Sequence, residues 1–148
     1  EGGSNFPSYT PIVAGGSNAC ILHYIENNKT IKESDLVLVD AGCEYNYYAS
    51  DITRTFPISG KFSAEQKAIY EVVLEAHKKS TEAIVVGNSC MNPQKTSEEV
   101  ISQGLKDLGF LKEPLEEILE KKLFREFYYH KIQIFLRNLR RQYDHDLE

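Results

Sequence analysis

Short apolar runs separated by turn residues make up most of the first sixty positions. The runs TPIVAGG, CILHY, LVLVDAG and YYASDITRTFPI are rich in β-branched and aromatic residues, which favour strands. Gly-Gly and Ser-Asn pairs and the polar stretch ENNKTIKESD lie between them and indicate turns and a surface loop. The pattern therefore predicts four strands, at residues 10–16, 20–24, 36–42 and 47–58.

From Ser63 onward the apolar residues recur at helical rather than strand spacing. Ser63 with Gln66 and Thr96 with Glu99 each form a capping-box pattern, and Pro114 suits the first turn of a third helix. The first helix is expected to bury Ile69, Val72, Val73, Ala76, Ala83 and Ile84. Strands followed by three helices predict an α+β fold.

Composition limits the classes of function. The chain has 148 residues, 41% hydrophobic and 26% charged, which suits one globular domain. A net charge of −5 argues against nucleic acid or an anionic membrane as a partner, and no apolar run approaches the length of a membrane span. The N-terminus lacks the features of a secretory signal. Three widely spaced cysteines, Cys20, Cys43 and Cys90, suggest buried thiols in a cytoplasmic protein rather than a disulfide framework.

Two aspartates in the stretch VLVDAGCEYNYYASDITRTFP, residues 37–57, are candidates for metal binding. A hairpin with Tyr45-Asn46 as its turn would place Asp40 directly opposite Asp51, with Cβ atoms about 4.5–5.5 Å apart. Two carboxylates at this distance repel each other unless one is protonated or a divalent cation lies between them. The alternative is that one aspartate belongs to a turn and the other faces solvent, because the assumed turn lacks glycine.

The stretches VAGGSNACILHYIENN and DLVLVDAGCEYNYYASDITRTFPISGKFSAEQKAIYEVVLEAH resemble the catalytic domain of Xaa-Pro aminopeptidases (aminopeptidase P) from about Pro7 to His130. The resemblance implies the pita-bread fold, two divalent metal ions, here manganese, and hydrolysis of the bond between an N-terminal residue and proline. Asp40 would bind one metal and Asp51 would bridge both. His23 and His130 would be catalytic residues on the substrate side, and the partners would be peptides with proline in second position.

After His130 the sequence departs from the family pattern. Ile134 stands where the family has a histidine ligand, Arg141 stands at or near another histidine, and the family's two glutamate ligands have no counterpart. We therefore expect a partial catalytic domain, truncated at both ends, with an atypical tail at 131–148. As an isolated chain it should be inactive, and unpaired strand edges should favour a homo-oligomer. The alternative is a non-catalytic pita-bread-like module that binds peptides or proteins.

Overall fold

Strands occupy the first part of the chain and helices the second. The computed structural model describes residues 2–128, and the chain divides into two units, residues 1–62 and 63–148. His130 and the expected tail lie outside the described residues, so the predictions made for them stay predictions. No helix within the described range is both long and apolar enough to cross a membrane.

The first unit contains two antiparallel sheets of three strands each. One sheet has the order β1-β4-β5 and the other β2-β3-β6. The strands are β1 (Phe6–Pro7), β2 (Ile12–Gly15), β3 (Leu36–Ala41), β4 (Cys43–Tyr45), β5 (Tyr48–Ala49) and β6 (Ile52–Pro57).

A single antiparallel register links β3 and β4 to β5 and β6, so these strands form one long hairpin interrupted at Gly42. The two-residue turn is Asn46-Tyr47, with left-handed φ angles of 49° and 68°. Two left-handed residues are typical of the type I′ turn, which matches the twist of paired strands. The Glu44 carboxylate accepts a hydrogen bond of 2.6 Å from the Tyr47 N–H across this turn. The prediction of Tyr45-Asn46 as the turn is therefore wrong by one residue.

The β2-β3-β6 sheet buries one of its faces. Ile12 and Ala14 of β2 form a small core with Tyr24, against which Leu38 packs. Ile12 lies directly opposite Asp40, and Ala14 directly opposite Leu38. Because opposed residues of an antiparallel pair share a face, Asp40 lies on the same face of the sheet as this core.

The CILHY run is not a strand, contrary to the prediction. Residues Gly16–Cys20 form a 3₁₀ helix, and residues 21–23 form a turn. Ile21 and Leu22 are 54% and 56% exposed, whereas Tyr24 is 5% exposed. The segment therefore anchors itself through one aromatic ring rather than through an alternating apolar face.

The described part of the second unit, up to residue 128, contains three α-helices, α1 (Ala64–Glu82), α2 (Asn92–Asp107) and α3 (Leu115–Lys121), and a 3₁₀ helix (Leu123–Glu126). The predicted capping box of Ser63 and Gln66 is present, with both reciprocal hydrogen bonds. The second predicted box is wrong, because α2 begins at Asn92 with Pro93 in its first turn, leaving Thr96 inside the helix. Proline is pre-organised for the first turn, and this signal overrides the later Thr–Glu spacing.

Small residues allow α1 and α2 to pack closely. A Cβ added to Gly104 would lie 2.4 Å from Cγ1 of Val72, and the buried hydroxyls of Ser80 and Ser97 are hydrogen-bonded to each other. The predicted inward face of α1 is too wide, since Ile69 and Val73 are 45% and 56% exposed. The core of this unit consists of Ala76, Ile101, Leu105, Ile118 and Phe124.

The three cysteines are all exposed, and none forms a disulfide within the described residues. The expectation of buried thiols is therefore wrong. Cys20 ends the 3₁₀ helix, Cys43 begins a short strand and Cys90 lies in the loop before α2, so none is on an inward-facing position.

Candidate metal site

Asp40 and Asp51 lie on one face of the β2-β3-β6 sheet, diagonally rather than directly opposite each other. Asp40 is paired with Thr53, and Asp51 comes immediately before β6, two residues before Thr53. Residues two apart along a strand share a face, and diagonal neighbours remain within reach of each other. The prediction that Asp40 lies directly opposite Asp51 is wrong. The turn lies one residue later than expected, and this shifts the pairing partner of each strand residue by two positions.

The hydroxyl of Tyr9 joins the two carboxylates. It donates to Oδ1 of Asp40 at 2.5 Å and contacts Oδ1 of Asp51 at 3.1 Å. The two carboxylate oxygens therefore cannot be further apart than the sum of these distances. Sequence reasoning missed Tyr9, because a lone tyrosine in the polar stretch SYT carries no periodic or motif signal.

Burial, together with the hydrogen bond and negative charge of Asp40 and the charge of Asp51, raises the pKa of Tyr9 well above its usual value. The phenol consequently keeps its proton at neutral pH and acts as a hydrogen-bond donor. A single phenolic proton shared between two acceptors holds both carboxylates toward the same point.

Three backbone segments, at Ser8, Gly42 and Ser50, cross next to Tyr9 and the two aspartates. Hydrogen bonds between these segments hold the three side chains in place. The Ser8 N–H donates to the carbonyl oxygen of Gly42 at 3.0 Å, and the Ser8 hydroxyl donates to the carbonyl oxygen of Ser50 at 2.6 Å. Ser8 precedes Tyr9 and Ser50 precedes Asp51 in the sequence. A Cβ on Gly42 would lie 1.8 Å from the Ser50 carbonyl oxygen, so only glycine allows the crossing.

His23 lies in the turn that follows the 3₁₀ helix, exposed and with a left-handed φ of 56°. It directly precedes Tyr24, which packs with Ile12 on the face that carries Asp40. Left-handed φ is uncommon for residues other than glycine and is enriched at functional sites. The structure therefore puts the turn that carries His23 on the side of the sheet where the carboxylates lie.

The chemistry of the donor set suits a hard divalent cation in part. Carboxylate oxygens are the ligands that Mg²⁺, Ca²⁺ and Mn²⁺ prefer, and Asp40 and Asp51 supply two carboxylates. Among residues 2–128, no group of three or more His, Cys, Asp or Glu side chains is arranged to hold a metal ion. The described part of the chain thus offers an incomplete ligand set.

Comparison with known proteins connects this arrangement to a family. The sequence model of metallopeptidase family M24 matches residues 1–144. The Xaa-Pro aminopeptidase of Haemophilus influenzae is 53% identical over 127 residues, which are 86% of this chain and 30% of that protein. The chain therefore spans less than a third of this relative.

Solved structures agree with the sequence matches. Pseudomonas aeruginosa aminopeptidase PepP superposes with a TM-score of 0.86 at 49% identity, over 88% of this chain and 29% of that one. A zinc-substituted Escherichia coli aminopeptidase P in complex with product gives 0.85 at 43% identity, over 88% and 30% of the two chains. The resemblance to Xaa-Pro aminopeptidases and the α+β, partial pita-bread fold are therefore confirmed. By the match of its sequence and of its fold, the chain belongs to metallopeptidase family M24.

Proposed function

We propose that this chain is part of the catalytic domain of a metal-dependent aminopeptidase that cleaves the bond between an N-terminal residue and proline. The observation that carries the proposal is the pair of carboxylates, Asp40 and Asp51, held together by the Tyr9 hydroxyl. The names of the relatives, Xaa-Pro aminopeptidase and aminopeptidase P, support the reaction and the substrate class.

Asp40 and Asp51 would be ligands to a pair of divalent ions, with Mn²⁺ as the proposed metal. Such ions, when bound, lower the pKa of a coordinated water and polarise the carbonyl of the scissile bond. Tyr9 orients the two carboxylates by hydrogen bonding. His23, and His130 outside the described residues, would contact the substrate beside the scissile bond and stabilise charge there.

The isolated chain should be inactive, because two carboxylates hold Mn²⁺ weakly when hard cations take six or more ligands. The second candidate function is a peptide-binding module without catalysis. It is favoured by the incomplete ligand set among residues 2–128. A cytoplasmic location remains a further prediction, based on the three cysteines and their wide spacing.

Calorimetric titration of the full chain with Mn²⁺ tests the proposal. We expect weak binding, with a dissociation constant in about the millimolar range, that is lost in Asp40→Asn and Asp51→Asn. Asp107→Asn is a matched control, because this exposed carboxylate lies in α2, where it accepts a hydrogen bond from Nε2 of Gln103.

Equal Mn²⁺ binding by wild type and Asp51→Asn would contradict the assignment of the carboxylates. Binding at about micromolar affinity that is lost in Asp51→Asn would instead contradict the predicted inactivity, because it requires a complete ligand set. Neither candidate function predicts hydrolysis by the isolated chain, so the binding of an Xaa-Pro peptide separates them. Retention of such a peptide without Mn²⁺, unchanged in Asp40→Asn and Asp51→Asn, favours the binding module.

A further inference from the structure

The segment from Ile21 to Asn28, called here the His23 loop, follows the 3₁₀ helix and returns beside β2. It contains two residues with left-handed φ angles, His23 at 56° and Asn27 at 49°. Between them, the Tyr24 side chain is buried against Ile12 and Ala14. The loop is thus anchored to β2 at Tyr24, and a second anchor lies at Asn27.

The side-chain amide of Asn27 forms two hydrogen bonds to the backbone of the β2 segment. Its Oδ1 accepts from the Val13 N–H at 2.7 Å, and its Nδ2 donates to the Pro11 carbonyl oxygen at 2.8 Å. Both distances lie within the usual range for hydrogen bonds between amide groups. The donor and the acceptor of one side chain are therefore satisfied by the Val13 N–H of β2 and by the carbonyl of Pro11, which directly precedes the strand.

These backbone groups lie on the open side of β2. The sheet has the order β2-β3-β6, so β2 is an edge strand in the described part of the chain. A neighbouring strand would ordinarily use such groups for pairing. The Asn27 amide takes that role and joins the loop to the edge in a fixed position along β2.

The attachment point matters because β2 is paired with the strand that carries Asp40. Ile12, which lies between the two backbone groups bound by Asn27, is directly opposite Asp40. Asn27 and Asp40 are therefore both aligned with the same residue of β2, Ile12. His23, held between the end of the 3₁₀ helix and the Tyr24 anchor, is placed relative to the carboxylates by this connection.

We propose that Asn27 is a positioning residue that fixes the His23 loop on the edge of β2 and thereby sets the place of the His23 imidazole. The proposal rests on the proposed substrate-side role of His23 for its functional meaning. Its geometric content, the attachment of the loop by the Asn27 amide, is independent of that role.

The test compares Asn27→Ala with Asn28→Ala in the full chain, using NMR. Asn28 is the matched control, because it is the adjacent asparagine and its Oδ1 makes only a long contact of 3.4 Å with the Tyr24 hydroxyl among the bonds described. In Asn27→Ala we expect the Val13 amide to exchange about tenfold faster, and the His23 imidazole signals to shift and broaden. Amides of the β3–β6 ladder should exchange as in wild type in both variants.

Asn27→Asp provides a conservative variant and keeps the proposal testable if Asn27→Ala does not fold. Its carboxylate can still accept from the Val13 N–H but cannot donate to the Pro11 carbonyl, so His23 signals intermediate between wild type and Asn27→Ala are expected. Unchanged His23 signals in Asn27→Ala, with or without faster Val13 exchange, would overturn the proposal, as would equal effects of Asn28→Ala.

Neither metal nor substrate enters this experiment, so its outcome does not depend on the aminopeptidase proposal. Failure of the Mn²⁺ titration would remove the functional meaning of His23 and leave the attachment by Asn27 intact. Failure of the NMR test would show that Asn27 does not position His23, and it would leave the assignment of the carboxylate pair unaffected.

Discussion

Tyr9 is the residue whose hydroxyl allows the carboxylates of Asp40 and Asp51 to lie close together. Two carboxylates on one sheet face repel each other, and a shared proton donor reduces that repulsion. Carboxylates that bind metals are usually hydrogen-bonded by neighbouring groups that set their orientation. The phenol of Tyr9 has this position with respect to both aspartates.

Tyr9→Phe should weaken the binding of Mn²⁺ by about tenfold, because the carboxylates lose the donor that orients them. The change removes a single oxygen atom and keeps the ring. Calorimetric titration of the full chain measures the affinity, and Tyr47→Phe, at a side chain that is 99% exposed, is the control.

An affinity equal to or greater than that of wild type in Tyr9→Phe would show that the hydroxyl does not assist metal binding. Thermal unfolding of the same samples distinguishes the expected loss of affinity from a general loss of structure, because a folded variant melts cooperatively.

At the scale of residues, the sequence was sufficient to find Asp40 and Asp51 but not Tyr9. The aspartates belong to one contiguous stretch of sequence, residues 37–57, whereas Tyr9 contacts them from 31 and 42 positions away. Such contacts depend on which strands pair and in which register. The same limit applies to Asn27, whose bonds span 14 and 16 positions.

At the scale of elements, the sequence predicted the hairpin around the carboxylates but placed its turn one residue too early. Tyr45-Asn46 and Asn46-Tyr47 both contain one asparagine and no glycine, so turn propensity alone does not separate them. The hydrogen bond from the Tyr47 N–H to Glu44 favours the observed turn, and it is evident only once the strands are paired.

The packing of the second unit gives a prediction about pH. Burial, with a smaller contribution from the charge of Glu98, raises the pKa of Tyr128 to about 12. In the unfolded chain a tyrosine has a pKa of about 10, so folding favours the protonated phenol. This contribution to the free energy of unfolding is fully present below about pH 10 and is lost as the pH rises through about 12.

Urea denaturation between about pH 8 and pH 12 measures this dependence. The fall in unfolding free energy above about pH 10 should be smaller in Tyr128→Phe, which has no ionisable hydroxyl. Lysines titrate in the same range and contribute equally in both proteins. Parallel curves for wild type and variant would therefore contradict the prediction.

At the scale of the whole molecule, apolar side chains on an edge strand favour self-association. In the described part of the chain β6 is an edge strand, and its Ile52 and Phe56 side chains are 52% and 45% exposed. Unpaired edges with apolar residues are templates for pairing between chains. We therefore predict a homo-oligomer, whose mass in light scattering is at least twice that of one chain.

The Phe56→Lys variant should shift this population toward the monomer, because a charge on the edge opposes pairing. Val86→Lys, at a fully exposed position in a loop, introduces the same charge elsewhere and should have no effect. Reductant is required throughout, since Cys20, Cys43 and Cys90 are exposed and can form covalent dimers. A wild-type chain that is strictly monomeric would contradict the prediction.

The fold class was predictable from the order of the elements, and the position of the aspartates from the family motif. The structure has strands before Ser63 and helices after it, as the spacing of apolar residues predicted, although CILHY and the start of α2 were assigned wrongly. The activity itself was not predictable to the same degree. The chain spans 30% of its Haemophilus influenzae relative, and a metal site draws ligands from distant parts of a sequence.

Substitutions at Asp40 and at Gly42 would impair metal binding for two different reasons. Asp40→Asn changes a charge within an unchanged shape, so such a chain should remain folded while losing its affinity for metal. No side chain fits at Gly42, where a single carbon would overlap the Ser50 carbonyl oxygen. A mutational scan scored by Mn²⁺ binding would rank both positions as intolerant, whereas one scored by abundance in the cell would single out Gly42, as expected for a position that maintains the fold.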